Sequence, residues 1–320
     1  MTNIILMTDS YKASHWLQYP PGTEYVYSYI EARGGVFPQT VYFGLQMFIK
    51  KYLSKPITQA NIDEAAIVWA AHGCPFNKEG WQYILDAHKG YLPLAIDTVP
   101  EGTVLPVSNV LATVVNTDPK CFWLTSVMET ALLRAIWYPT TVATLSWHCK
   151  QIIKNAIDKS SDVPEQLPFK LHDFGARGVS SHESAGIGGA AHLVNFQGTD
   201  TIEGALTAMK YYDCEMPAFS IPAAEHSTIT SWGRDREEDS FRNMLTQFAK
   251  PGAIVAVVSD SYDIYNAVNN LWGDKLKDEV IKSGATIVVR PDSGDPLTVP
   301  VEVITGLANK FGYDTNSKDY

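Results

Sequence analysis

Positive charge is scarce in this chain. Lys and Arg number 25 against 35 Asp and Glu among 320 residues, a formal net charge of −10. A surface that acidic repels phosphodiester backbones and anionic lipid headgroups, so nucleic acid and membrane are poor first expectations for a partner. A local phosphate site stays open, because a few arginines and helix N-termini can hold an anion inside an acidic protein. Cysteine is equally sparse. Cys74, Cys121, Cys149 and Cys214 stand at least 28 residues apart with no C-x-x-C pair, which excludes zinc-ribbon and thioredoxin-like chemistry. No H-E-x-x-H or paired-histidine spacing supplies a metal motif in their place. The apolar run at 4–7 stops at Thr8 and Asp9, unlike a signal peptide, so free thiols in a reducing cytoplasm are expected. Long apolar runs are missing too. The least polar stretch, 135–149, contains Pro139 and falls short of the ~20 residues a bilayer needs. With 45% hydrophobic and 19% charged residues the chain has the composition of a folded, soluble protein rather than a disordered one.

What is present divides in two. Residues 1–150 read as an α+β domain ending in bridging helices. Helical patterns fall at 44–52 and 62–71, and the aromatic alternation at 25–30 suggests a strand. Short apolar segments at 92–99, 102–107 and 111–115 suggest an antiparallel sheet. A long helical pattern covers 121–154. Residues 151–320 change character. Apolar segments at 169–177, 219–227, 254–261 and 286–293 each end in a polar, chemically capable cluster, with helical patterns between, notably 235–248 and 262–272. Strand, loop and helix in repetition predict βα units and a parallel sheet, whose strands gather reacting groups at their C-terminal ends.

Those ends carry distinctive residues. Arg177 and Arg290 each follow an apolar segment, an arrangement suited to gripping a phosphate through paired hydrogen bonds; surface ion pairing is the bland alternative. Asp260, Asp263, Asp292 and Asp295 lie beside them. Carboxylates there would repel phosphate unless a hard cation such as Mg²⁺ bridged the two, although turn and cap chemistry explains them equally well. His226 follows an apolar segment, stands next to Glu225 and precedes Ser227 and Thr228, so it is placed to carry a proton, bind a metal or attack phosphorus. The glycines at 186, 188 and 189 lack the lysine of a P-loop and read as close helix packing.

At these residues the chain resembles a known family. Thr8-Asp9-Ser10-Tyr11-Lys12, Leu171-His172-Asp173-Phe174-Gly175, Arg177-Gly178-Val179-Ser180-Ser181, Asn195-Phe196-Gln197-Gly198-Thr199-Asp200-Thr201, Pro222-Ala223-Ala224-Glu225-His226-Ser227-Thr228, Val258-Ser259-Asp260-Ser261-Tyr262-Asp263 and Arg290-Pro291-Asp292-Ser293-Gly294 are similar to strings of the nicotinate/nicotinamide phosphoribosyltransferase family, in its nicotinamide branch. The resemblance implies an irregular TIM-like phosphoribosyltransferase barrel behind the N-terminal α+β domain. Because the family continues well past the position matching Tyr320, it also implies that the barrel is incomplete in this chain.

The activity implied is condensation of nicotinamide with phosphoribosyl pyrophosphate to nicotinamide mononucleotide and pyrophosphate in NAD salvage, with Mg²⁺, with ATP as an optional co-substrate, and in a cytoplasmic homodimer with shared sites. Carried over by residue, Phe174 stacks on the pyridine ring, Tyr11 closes its other face from the partner subunit, and Arg177 touches base and phosphates. Asp200 accepts from the carboxamide NH₂. A carboxylate there would repel nicotinate in a desolvated pocket, so nicotinamide is the expected base. His226 is the phosphorylatable histidine. Arg290, Pro291 and Asp292 hold ribose and phosphate, while Glu225, Ser259 and Asp263 surround the diphosphate. The metal would meet Asp263 and Asp292 through diphosphate or water, and the catalytic set is His226, Asp263 and Asp292. Two alternatives stay open: a non-catalytic scaffold, and an enzyme that takes nicotinate.

Overall fold

The computed structural model describes residues 3–320. The backbone forms two compact units, one running up to Lys159 with Val163–Phe219, the other comprising Ser160–Asp162 with Ser220–Tyr320.

The first unit holds strands β1 (Tyr27–Glu31), β2 (Gln39–Val41), β3 (Leu94–Thr98), β4 (Val104–Pro106) and β5 (Val110–Asn116). The antiparallel sheet expected from 92–115 forms with one exchange of partners. β5 lies between β1 and β3, in register Tyr29↔Thr113 and Ile96↔Val114, while β4 leaves this sheet to pair with β2. Alternation explains the register: β5 turns Ala112, Val114 and Asn116 inward, and Tyr27 and Tyr29 of β1 remain exposed. Buried Asn116 is fully satisfied. Its side-chain oxygen accepts from Val26 N at 2.9 Å, and its amide donates to Glu24 O at 2.8 Å and Asp118 O at 2.9 Å, which pins the entry to β1.

Among the described residues the α-helices of the unit are α1 (Leu45–Phe48), α2 (Gln59–His72), α3 (Lys78–Ala87), α4 (Leu124–Ser160), α5 (His182–His192) and α6 (Ile202–Tyr212). α2 begins at a Thr58 capping box and ends where Gly73 takes a left-handed φ of +86°. α4 contains Pro139, whose ring lies against Gly44. A Cβ on Gly44 would stand 2.2 Å from Pro139 Cγ. Right after it, and again one turn on, α4 threonines serve the backbone at and just past the end of β2: Thr140 Oγ1 receives Phe43 N at 3.2 Å and Thr144 Oγ1 receives Val41 N at 2.9 Å. The core gathers around Trp69, Trp81 and Trp123, the last two edge to face with ring centroids 5.0 Å apart. The glycines at 186–189 do serve close helix packing: a Cβ on Gly189 would lie 2.7 Å from Gly204 Cα of α6.

The second unit contains α7 (His226–Thr230), α8 (Glu237–Phe248), α9 (Ile264–Asn266), α10 (Lys277–Ser283) and α11 (Val299–Phe311), with β6 (Ile254–Val258) and β7 (Thr286–Arg290). β6 and β7 pair in parallel, Val258 opposite Arg290, as βα units require. α8 buries Phe241, Met244 and Leu245, the i, i+3, i+4 spacing of one helix face, against Val255 and Val257 of β6. α9 runs into a helical stretch of larger radius over Ala267–Lys275, from which Trp272 stacks on Phe241 at 4.6 Å.

Two of the four loaded segments are not regular strands. Pro164–Phe169 and Gly175–Gly178 are 3-10 turns, with only Asp173 between them in a parallel bridge to Thr199. Phe219 bridges Gly198 within the first unit, and Ala223 bridges Ala256 within the second. In the second, Pro222 lacks the N–H that a continuous ladder needs; in the first, Asp173 Oδ1 accepts from Gly175 N and turns the chain straight after the bridge. Within each unit parallel pairing persists through them one residue at a time, so the α/β class holds.

Candidate active site

In the first unit the Asp173–Thr199 bridge organises the residues expected to handle the base. Asp173 N donates to Gly198 O at 3.2 Å and Asp200 N to Asp173 O at 2.9 Å, which places Asp200 next to the 172–174 backbone. Asp173 Oδ1 accepts from Gly175 N at 2.7 Å and starts the tight turn that carries Arg177, with Phe174 half exposed at its head. His172 joins the group. Its Nε2 lies 3.2 Å from Asp200 Oδ1, and its ring centroid is 4.9 Å from that of Phe174. Beneath them His192 is buried, with Nε2 3.1 Å from Gly198 O; burial lowers its pKa, partly opposed by Asp173, so it is a neutral structural imidazole. Tyr11 lies elsewhere on the unit. It is exposed, 5.2 Å from the His15 ring and under the Lys12 ammonium, and among the described residues no ring contact joins it to Phe174.

In the second unit the ends of β6 and β7 converge on one buried carboxylate. Asp260 Oδ2 accepts from Asp292 N at 2.9 Å and Ser293 Oγ at 2.6 Å, while Oδ1 lies 3.1 Å from His226 Nε2. Burial pushes this carboxyl upward, but Ser293, the Asp292 amide and His226 together outweigh it and hold it below the ordinary range. His226 opens α7, 46% exposed, with Nδ1 3.7 Å from Asp292 Oδ2; its imidazole therefore stands between a buried carboxylate that orients it and an exposed one. Glu225 precedes it, its carboxylate bonded to Ser227. Asp263 caps α9, accepting from Tyr265 N and Asn266 N at 2.9 and 3.0 Å. Ser259 is fully buried, its hydroxyl engaged by Val257 O and Trp272 Nε1 and its amide by Arg290 O. Arg290 closes β7 just before Pro291, and its Nε is a buried donor with no hydrogen-bond acceptor. An unsatisfied buried guanidinium donor suits a phosphate oxygen.

Two contributors escaped the sequence reasoning. Asp260 was legible only as one of four acids, although it is the first carboxylate after β6. His172 sits inside a quoted string, but nothing in the local pattern signals that it meets Asp200, a contact made by the parallel bridge.

Comparison with known proteins agrees with this picture. Residues 169–320 match the model of the nicotinate phosphoribosyltransferase (NAPRTase) family, and residues 3–96 match that of the nicotinamide phosphoribosyltransferase N-terminal domain. The structure of human nicotinic acid phosphoribosyltransferase superposes with a TM-score of 0.63 at 17% identity, covering 96% of this chain and 65% of that one. Nicotinate-nucleotide pyrophosphorylase from Pyrococcus furiosus gives 0.58 at 15% identity, covering 98% and 64%. The solved structures share the α/β fold, and the family models together with the curated relatives define the class, a pentosyltransferase. Among curated proteins, nicotinamide phosphoribosyltransferase of Xanthomonas campestris pv. campestris is 59% identical over all of this chain and 68% of its own length, and that of Acinetobacter baylyi is 33% identical over 91% and 62%. The chain belongs to the nicotinamide phosphoribosyltransferase family, spanning about two thirds of the length of these relatives. No helix among the described residues is long and apolar enough to cross a membrane.

Proposed function

We propose that this chain carries the base-handling and phosphate-handling side chains of a nicotinamide phosphoribosyltransferase acting in cytoplasmic NAD salvage. The observation that carries the reading is the 59% identity sustained over the whole chain with a protein of that name. Phe174 offers a half-exposed ring for stacking on the pyridine, and Asp200 an acceptor for the carboxamide N–H. Tyr11, exposed, is the ring that one subunit of a homodimer would lend to its partner. Arg177 and Arg290 would grip phosphates. Loss of pyrophosphate leaves an oxocarbenium-like ribose, so positioning and neutralisation of the leaving group dominate the rate. His226, oriented by Asp260, is the group ATP would phosphorylate: the γ-phosphorus bonds to a ring nitrogen as its bond to the β-γ bridging oxygen breaks and ADP departs.

Magnesium suits this donor set only indirectly. Asp263 already caps a helix with one oxygen and Asp292 is exposed. Among the described residues the one trio of His, Cys, Asp or Glu close enough to share an ion is His88, Asp118 and Cys121, in the other unit. That trio is accounted for structurally: Asp118 Oδ2 takes Tyr83 OH at 2.9 Å and lies 2.8 Å from His88 Nε2, while burial pushes the Cys121 thiol up to about 12. Mg²⁺ keeps several waters and prefers substrate phosphates with one or two carboxylates, so Asp263 and Asp292 would hold it through water or diphosphate, where it would neutralise leaving-group charge.

The test is mass-spectrometric detection of nicotinamide mononucleotide from nicotinamide and phosphoribosyl pyrophosphate, with and without ATP. Formation that rises with ATP in wild type but not in His226→Ala supports the assignment. Absence of product and of binding by either substrate would instead favour a non-catalytic scaffold.

A further inference from the structure

We propose that Lys12, held by Glu129, is the positioning residue that fixes the Tyr11 ring in the orientation in which one subunit presents it to its partner's base. The proposal rests on the reading of Tyr11 as the ring shared across a homodimer.

Ser10–Leu17 is a 3-10 helix of 8 residues, longer than the usual run, and at three residues per turn it repeats side-chain directions at every third position. That period sorts the segment into three rows. Asp9, just before the helix, forms one row with Lys12 and His15, and all three meet α4. Asp9 Oδ2 accepts from Thr130 Oγ1 at 2.6 Å, Lys12 Nζ donates to Glu129 Oε2 at 2.6 Å, and His15 Nδ1 lies 2.7 Å from Ser126 Oγ. The partners descend from 130 to 126 as the row rises from 9 to 15, so the two helices run antiparallel along one polar seam. The second row begins with Ser10, whose Oγ lies 2.8 Å from His72 Nε2 of α2, and continues with buried Ala13. With two rows anchored, the third faces outward, and its Tyr11 and Leu17 are exposed.

Lys12 is the unusual member of the anchoring row. Its side chain is 4% exposed, while that of Glu129 is 53% exposed. A buried ammonium with a half-exposed partner gives little stability that an apolar side chain would not give as well. What it does give is a charge placed against the ring: Nζ lies 5.4 Å from the Tyr11 centroid, and the His15 ring stands 5.2 Å away at 57°. Burial and Lys12 lower the His15 pKa, with Glu129 opposing, so that imidazole is a neutral neighbour and the cation against Tyr11 is Lys12. An exposed tyrosine loses rotamer freedom when a base stacks on it. One already held by a cation and a second ring has less to lose, so base affinity rises without a new contact to the base. A cation–π contact at an exposed site corresponds to about two- to fivefold in an equilibrium, and more where water is excluded, so loss of Lys12 should weaken nicotinamide binding about fivefold.

The test uses the full chain and measures kcat, together with KM and Kd for nicotinamide, in wild type, Tyr11→Ala, Lys12→Met, Glu129→Gln and the double variant Tyr11→Ala with Lys12→Met, with thermal melts alongside. Lys12→Met should raise KM and Kd about fivefold with kcat little changed, and should add nothing once Tyr11 is already replaced. Glu129→Gln, on the half-exposed partner, should give the same loss at smaller size, and it carries the expectation if Lys12→Met does not fold. Mixed dimers separate positioning from general damage. Lys12→Met and Phe174→Ala chains with different tags are co-expressed, and their mixed dimer is purified through both tags. If Lys12 acts through Tyr11 on the partner, both substitutions fall in one site and the other is intact, so turnover at low nicotinamide should be about half that of wild type. If Lys12 acts within its own subunit, each site carries one defect and turnover stays near about a tenth. Unchanged binding in both Lys12→Met and Glu129→Gln, or a mixed dimer at the lower value, would overturn this proposal alone, provided that Tyr11→Ala weakens binding and recovers when mixed with Phe174→Ala. If Tyr11→Ala leaves nicotinamide binding unchanged, or does not recover on mixing, the reading of Tyr11 as the shared ring falls with it.

Discussion

Replacing Glu237 by glutamine should change the pH dependence of stability, because this carboxyl is buried without a full complement of partners. Glu237 lies in the first turn of α8, 4% exposed, and its Oε1 has no hydrogen-bond partner. Burial drives its pKa from 4.5 up to about 7, with Arg234 opposing and Asp263 adding to the rise. The folded state therefore keeps this proton at pH values where the unfolded chain has released it. Between about 4.5 and 7 unfolding releases a proton, so this residue's contribution makes stability fall as pH rises through that window, and the penalty is complete above about 7. At 1.36 kcal/mol per unit the full penalty is about 3 kcal/mol, an upper bound because Arg234 and solvent can relax around the ionised form. Glu237→Gln removes the ionisation and keeps the shape. Urea unfolding at pH 5, 6, 7 and 8 should show the variant gaining on wild type by up to about 3 kcal/mol across the series, whatever its offset at pH 5. Parallel wild-type and variant profiles would refute the argument and show that Glu237 ionises freely in the folded chain.

Other outcomes follow from the same geometry. Asp260→Asn should lower kcat about a hundredfold, the scale of a misaligned proton-transferring or nucleophilic histidine, with modest change in the KM for nicotinamide; equal kcat would show that Asp260 does not orient His226. Trp272→Ala should destabilise the chain by about 3–5 kcal/mol in urea unfolding, since the ring is 1% exposed, stacked on Phe241 and bonded to Ser259. In the native state at pH 8 a thiol reagent should spare Cys121, which burial keeps protonated, while Cys74, Cys149 and Cys214 react; peptide mapping after labelling distinguishes the four.

Local pattern carried a large part of the fold because local physics determined it. The helical spacing at 235–248 became α8, since Phe241, Met244 and Leu245 share one face, and the long pattern at 121–154 became α4. Pairing partners were harder to read. Nothing in the run at 102–107 says that β4 pairs with β2 instead of joining β3 and β5, because that choice depends on contacts distant in sequence. The segments around Asp173 and Ala223 looked like strands from their apolar residues, while the Asp173–Gly175 turn in one and Pro222 in the other reduced them to single bridges. The site divides in the same way. His226, Arg290 and Asp292 stand out as reactive types at the ends of apolar runs. The Asp260 contact to His226 and the His172 contact to Asp200 arise only when parallel pairing aligns segments 34 and 28 residues apart.

The central claim is that this chain transfers phosphoribosyl to nicotinamide, and a competition assay tests it most directly. With phosphoribosyl pyrophosphate limiting and the two bases supplied together, wild type should form nicotinamide mononucleotide in large excess over nicotinate mononucleotide, and Asp200→Asn should erode that excess by about tenfold or more, the scale expected for losing a charge-selective contact. Preferential formation of nicotinate mononucleotide, or a product ratio indifferent to Asp200, would contradict the account.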